Sequence, residues 1–313
     1  MARGGGSPIL FDIFFFQQLV NGVAIGLVYA LMAIGFTLIF GVLNVVNFAH
    51  GEVYMIGAYA GLLAITAFAP PLFVVVLLTL AAGALTGFGL ERIAFRPFRR
   101  FRDEASLKSK AMREATLLSS LAVSIIAREA VEIIMGSNMQ PIPQQYLLLQ
   151  PVEIGALTFA RGQFLIFGVS VVSLAALQWL LNRTRIGLSI RAVANNPIGA
   201  MYVGINTNRT IIATFIIGSM LGAVAGILVG LYQGTIFPGM GFTPGVKAFV
   251  AMVMGGLNSI VGAVACAMIL GVSEALATNF IAQGWADLIA YSFLVITLVF
   301  FPTGLFGAAR ERI

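Results

Sequence analysis

Long apolar runs separated by short polar breaks set the pattern of this chain. A spanning helix needs about 20 mostly apolar residues, and six stretches provide that directly: 19 to 43, 52 to 69, 72 to 90, 115 to 135, 164 to 182 and 210 to 232. The apolar region 246 to 280 runs to 35 residues and holds Gly255, Gly256, Asn258 and Ser259 near its middle. It reads as a membrane-entering piece at 246 to 257 followed by a spanning helix at 260 to 280. A last span, 286 to 306, closes with Pro302 and Gly304. The runs are continuously apolar, whereas a barrel strand alternates over about 10 residues. The expected fold is all-α, a polytopic transmembrane helical bundle with about eight spans and re-entrant or broken segments. Residues 1–313 are expected to form one transmembrane domain.

Composition strengthens this reading: hydrophobic residues make up 59% and charged residues 10%, where a soluble domain carries about 25% charge. The net charge of +6 matters through its placement in the loops, so nucleic acid is not an expected partner and the lipid bilayer is. Segment 91 to 113 holds Arg92, Arg96, Arg99, Arg100, Arg102, Lys108, Lys110 and Arg113, and segment 183 to 209 holds Arg183, Arg185, Arg191 and Arg209 without an acid. Both should be cytoplasmic. The Pro- and Gln-rich 136 to 163 should be external, and counting back puts the N-terminus outside. Arg310 and Arg312, offset by Glu311, favour a cytoplasmic C-terminus, which requires 246 to 257 to complete a crossing. The first eleven residues lack a signal-peptide pattern, so the N-terminus is expected to be mature.

Several positions interrupt the apolar pattern. GVLNVVNFAHGE, residues 41 to 52, places Asn44, Asn47, His50 and Glu52 at membrane depth, where broken helix is tolerated only against protein or a water-filled cavity. Lys247 follows the Gly- and Pro-rich 234 to 245 and is either a functional group or a lysine snorkelling to the interface. Asn44, Asn47 and Lys247 are the candidate pathway residues. His50 and Glu52 suggest a metal or general-base site only weakly, because His50 is the single histidine and the acids show no HExxH spacing. Arg128 and Glu132, one helical turn apart, are expected to neutralise each other. Cys266, a single thiol, supports neither an internal disulfide nor a cysteine metal cage.

Gly218, Gly222, Gly226 and Gly230 recur every four residues, and Gly22 and Gly26, continued by Ala30, do something similar. Such faces let helices approach closely in lipid. None of the lysines Lys108, Lys110 and Lys247 follows a glycine as a phosphate-cradling GxxxxGK[ST] loop demands, so the chain is not its own P-loop ATPase. The basic segment 183 to 209 carries Ala192, Val193, Ala200, Met201, Val203 and Ile205 as apolar positions. It predicts a short amphipathic helix docking on headgroups or, preferably, in a groove of a protein partner.

Three blocks carry a family resemblance: GVAIGLVYALMAIGFTLIFGVLNVVNFAHGEVYMIGAY, RIGLSIRAVANNPIGAMYVGIN and KAFVAMVMGGLNSIVGA. Together, and in this order from about residue 17 to 307, they resemble the LivH-type permeases of branched-chain amino acid ABC transporters. The resemblance implies a subunit of a bacterial importer in the plasma membrane. Its partners would be a LivM-like second permease, two cytoplasmic ATPases and a periplasmic substrate-binding protein. ATP and Mg would sit on the partners, with no cofactor on this chain. The family's ATPase-coupling segment falls on Gly187, Arg191, Ala192, Ala200, Gly204 and Ile205. Competing readings are a same-family permease for urea, short amides or other amino acids, an autonomous ion-coupled transporter, and a membrane enzyme built on His50 and Glu52. Spans one and six are both Gly-studded, both precede a broken segment and a short helix, and point in opposite directions, an arrangement that suggests an inverted repeat.

Overall fold

The computed structural model describes residues 8–98, 110–148, 150–154, 157–282 and 284–307. Arg99, Arg100, Arg102, Lys108, Arg310 and Arg312, used above for orientation, lie outside those residues. The chain forms α1 (Pro8–Leu43), α2 (His50–Phe68) and α3 (Leu72–Leu90), the last prolonged by a π turn at Glu91–Phe95. Then come α4 (Lys110–Met135), α5 (Arg161–Arg183), the short α6 (Arg185–Asn195) and α7 (Pro197–Tyr202), and α8 (Thr207–Gln233). Three more, α9 (Phe242–Gly255), α10 (Ile260–Phe280) and α11 (Gly284–Phe300), complete the bundle. Two small antiparallel pairs decorate one end: β1 (Gln140–Pro141) with β4 (Thr235–Ile236), and the hairpin β2 (Pro151–Ile154) with β3 (Leu157–Ala160).

Among the described residues six helices are long and apolar enough to cross a bilayer: α1, α2, α3 with its extension, α5, α8 and α10. The spans expected at 115 to 135 and 286 to 306 are α4, charged at Arg113, Glu114, Arg128, Glu129 and Glu132, and the 17-residue α11. The protein is a multi-pass membrane protein. Residue 19 is not the start of α1, which is helical from Pro8. Its polar residues are satisfied by β3 and the first turn of α5: Gln17 Nε2 donates to the Thr158 carbonyl at 2.7 Å, Thr158 N–H donates to Gln17 Oε1 at 3.0 Å, and Gln163 Nε2 donates to Asn21 Oδ1 at 2.6 Å. The start of α1 therefore shares a side with segment 136 to 163, the external side by charge.

The boundaries of the inner segment are written in capping residues. Thr184 Oγ1 accepts from Gly187 N–H at 3.1 Å to start α6, Asn196 Oδ1 accepts from Ile198 and Gly199 N–H to start α7, and Asn206 Oδ1 accepts from Arg209 N–H at 3.1 Å to start α8. Ser259 does the same for α10.

The two broken segments are opposed. After α1, Asn44 takes a left-handed conformation (φ 53°) and its N–H donates to the Phe40 carbonyl at 2.6 Å. The chain then doubles back, so that α2 begins with His50 packed on Gly35, about 12 Å before the end of α1 at a 1.5 Å rise per residue. After α8, Gly234 caps the helix in the left-handed region, β4 runs along the outer side, and α9 begins where Gly241 and Gly245 meet Gly51. The first turns of α2 and α9 thus abut midway along the bundle and the helices run away from each other. The piece expected to re-enter at 246 to 257 instead completes a crossing, because β4 sits with the outer loop and Gly255 ends beside Gly262 at the start of α10.

This pairing extends to three-helix units, α1–α3 and α8–α10. Helix α1 packs on α10 and α8 on α3, and both crossings use glycines. A methyl at Gly22 would lie 2.6 Å from Val272 Cα, and one at Gly87 would lie 2.6 Å from the Phe215 carbonyl. Backbones this close gain dispersion and exclude lipid, which is how helices associate without a hydrophobic driving force.

Candidate functional site

Lys247 lies on the second turn of α9 and is buried, its side chain 4% exposed. A lone ammonium there would be too costly, and acids on two other helices answer it, one of them held by a third helix. Lys247 Nζ donates to Glu274 Oε1 on α10 at 2.7 Å and pairs with Asp287 Oδ1 on α11 at 2.8 Å, while Tyr29 on α1 donates its hydroxyl to Glu274 Oε2 at 2.8 Å. Snorkelling is thereby overturned: the lysine is turned inward and its charge is held by acids. Glu274, Asp287 and Tyr29 were not singled out by sequence reasoning. The usable signal was an acid inside each of two apolar spans, which is rare enough in a membrane to demand a partner.

Two cavities lie along α1, one against its middle and one against its C-terminal turns. The outer one, about 160 Å³, is lined by Ala24, Ile25, Val28, Tyr29, Tyr54, Ile166, Val229, Tyr232, Gln233, Pro244 and Glu274. The inner one, about 320 Å³, lies between Thr37 to Val42 of α1, the end of α5, α6 and the start of α10, and is rich in amides from Gln178, Asn182, Asn195 and Asn258. Between them Ala30, Leu31, Met32, Ala33 and Ile34 are buried in the core, a closed stretch of about 12 Å from Tyr29 to Thr37 at the helical rise.

The pathway candidates are not brought together. Asn44 is exposed at the end of α1. Asn47 is buried and its Oδ1 accepts from Ala49 N–H at 3.1 Å, fixing the turn that begins α2. Lys247 touches the outer cavity only through Glu274. His50 and Glu52 also diverge. The imidazole fills a slot between Gly35 and Gly222, edge-on to Phe36, and approaches the Met32 carbonyl without forming a hydrogen bond of normal geometry. Glu52 Oε1 accepts from Ser124 on α4 at 3.2 Å. Among the described residues no three His, Cys, Asp or Glu side chains gather as a metal site would require. Arg128 does not pair with Glu132. It reaches across to Gly239 and acts electrostatically on Glu52, since α4 packs on α2 along that face.

A variant tests the imidazole. His50→Phe keeps a ring of similar shape and removes two buried nitrogens that lack partners. Because such groups cost about 1–3 kcal/mol each, thermal melting of the purified variant is expected to be equal to or above that of the native chain. A loss of more than about 2 kcal/mol would mean that the nitrogens bond in the folded protein.

Of the expected coupling residues, Gly187 packs on the Leu180 and Leu181 backbone, so α6 can fold back against the end of α5. Ala200 is buried, Ala192 and Ile205 are half-buried, and Ile205 N–H donates to the Ala200 carbonyl at 2.9 Å. Arg191 is exposed and lines the inner cavity. Gly204 is exposed with φ +84°, a conformation that favours glycine. The apolar residues left bare on this segment are Ile186, Leu188, Met201, Tyr202 and Val203, with Tyr202 87% exposed. Of these, Ile186, Leu188 and Tyr202 escaped sequence reasoning, because which apolar side chains stay bare depends on how α6 and α7 fold back against the bundle.

A family profile described as "Branched-chain amino acid transport system / permease component" matches residues 18–300. The chain is 38% identical over 304 residues to the high-affinity branched-chain amino acid transport system permease protein BraD of Pseudomonas aeruginosa, covering 94% of this chain and 96% of that one. It is 35% identical over 307 residues to the corresponding LivH protein of Escherichia coli, with the same coverage. Among solved structures, a chain of PsaBC from Streptococcus pneumoniae in complex with Fab has a similar fold, with TM-score 0.50, 12% identity and 94% coverage of both chains.

Proposed function

The chain belongs to the branched-chain amino acid transport system permease family, and from that premise we propose that it is a permease subunit of an ABC importer in the plasma membrane. It passes branched-chain amino acids inward through a single transmembrane permease domain and performs no chemistry on them. Its partners in this reading are a LivM-like second permease, two cytoplasmic ATPases that hold ATP and Mg, and a periplasmic substrate-binding protein.

The observation that carries the reading is the pair of cavities along α1, against its middle and its C-terminal turns, separated by a closed core and flanked by two opposed half-helices. Such inverted units let one half rock against the other, so that a solute faces one side at a time. Force enters from the cytoplasmic side through α6 and α7. There Gly187, Ala192, Ala200 and Ile205 hold the segment against the bundle, Gly204 sets its return, and Arg191 stands at the inner cavity. Lys247 acts on the path through Glu274, while Asn44 and Asn47 border it by bending the chain between α1 and α2.

The coupling claim has a direct test. Tyr202→Asp with Val203→Asp places charge on a bare apolar surface and disturbs no packed residue. Expected results are an unchanged melting temperature, loss of ATPase co-purification and at least about a tenfold fall in leucine uptake, the equivalent of 1.4 kcal/mol. Normal co-purification and uptake would refute the assigned docking face. Vesicles reconstituted with the permeases alone should accumulate nothing.

A further inference from the structure

The outer cavity has two chemically different kinds of lining. Val28, Ile166 and Val229 offer branched aliphatic walls, whereas Tyr29, Tyr54 and Glu274 bring hydroxyl-bearing rings and a carboxylate to it. Tyr54 is fully buried, and its hydroxyl has no hydrogen-bond partner although the ring lines the cavity and sits within electrostatic range of Tyr29. Burying a hydroxyl unpaired costs about 1–3 kcal/mol, so this group is poised for something absent from the folded chain alone.

Charge points the same way. Lys247 supplies one positive charge against the two carboxylates of Glu274 and Asp287. One negative charge is therefore left over in the triad, shared between the cavity-lining Glu274 and the more exposed Asp287. A cation reaching Glu274 would balance it, and such attraction strengthens in a water-poor setting. Glu274 can accept further, because an ionised carboxylate has about four acceptor sites, of which Lys247 and Tyr29 take two. As for size, a cavity of roughly 150 Å³ holds benzene, so about 160 Å³ suits one small amino acid and excludes a peptide.

We infer that the outer cavity is a solute-binding station within this chain for a small aliphatic amino acid. Glu274 and Tyr29 accept from its ammonium group, Tyr54 bonds to its polar end, and Val28, Ile166 and Val229 enclose its side chain. The inference rests on the import reading above and deepens it, because selection then occurs inside the permease as well as in any binding protein.

The test uses the full chain in lipid nanodiscs, without nucleotide or other proteins, and radiolabelled leucine as the probe. Saturable binding is expected. Isopentylamine, which keeps the ammonium, should compete, and 4-methylpentanoate, which lacks it, should not. Tyr54→Phe is expected to weaken binding about fivefold with melting equal to or above that of the native chain, and Val229→Trp, which fills the half-buried wall, should abolish it with unchanged melting. Equal leucine binding by the native chain and both variants would overturn the station, as would competition by 4-methylpentanoate and not by the amine. A fully assembled transporter that takes up leucine while its isolated chain shows no saturable binding, and whose uptake ignores both variants, would overturn the station and leave the import reading standing. Uptake of another solute but never leucine by the assembled native transporter would overturn both.

Discussion

Lys247→Met is expected to destabilise the chain by about 3–5 kcal/mol, the range seen when one partner of a buried ion pair is removed. The methionine fills a similar volume, so the loss is electrostatic. Glu274 would keep Tyr29 as its described partner, with its side chain only 16% exposed. Asp287 contributes less, since its side chain is 55% exposed and water screens it. The loss should be largely recovered in Lys247→Met with Glu274→Gln, because a neutral amide needs no counter-charge and can still accept from Tyr29. Melting of the native chain, the two single variants and the double variant forms a double-mutant cycle, and a strongly favourable coupling energy is the expected result. A single-variant loss below about 0.5 kcal/mol would mean that the triad is solvated and that Lys247 is not the brace between α9, α10 and α11.

Gly226→Val should prevent the chain from reaching its folded state. A Cβ at this position would collide with the backbone carbonyl of Tyr54, which cannot rotate away as a side chain can. Separating α2 from α8 would also displace His50 from its slot beside Gly222 and Tyr54 from the outer cavity. Overpacking costs about 1–3 kcal/mol where side chains adjust, and a backbone clash at a helix crossing exceeds that. Gly168→Val on α5 is the control, since a methyl there meets nothing within 4 Å. Fluorescence-detected size exclusion of the detergent-solubilised proteins should show a monodisperse peak for Gly168→Val and aggregate or nothing for Gly226→Val. A native elution and melting profile for Gly226→Val would mean that the α2–α8 contact is looser than described.

The glycine stripe illustrates how far pattern reading reaches. Four glycines at four-residue spacing announce a close helix crossing but not its partners, which prove to be Gly35, His50, Tyr54 and Ile236, one after another along α8. Likewise the polar break at 41 to 52 was visible as a break. That α2 starts against Gly35, and that α9 starts against it from the opposite direction, depended on long-range packing.

What the sequence alone determined was local or collective: apolar length, which forces crossing helices in lipid; the cap residues Thr184, Asn196, Asn206 and Ser259, which satisfy free N–H groups within three residues; and the basic segments from which an orientation is expected. Tertiary structure alone decided which charges meet. Lys247 lies 27 positions from Glu274, and Tyr29 lies 245 from it. Hydropathy is summed along the chain and carries no record of azimuth, whereas an ion pair and a cavity exist only when faces of separate helices are turned toward one another. That is why the bundle was legible in advance and the Tyr29, Tyr54 and Glu274 lining of the outer cavity was not.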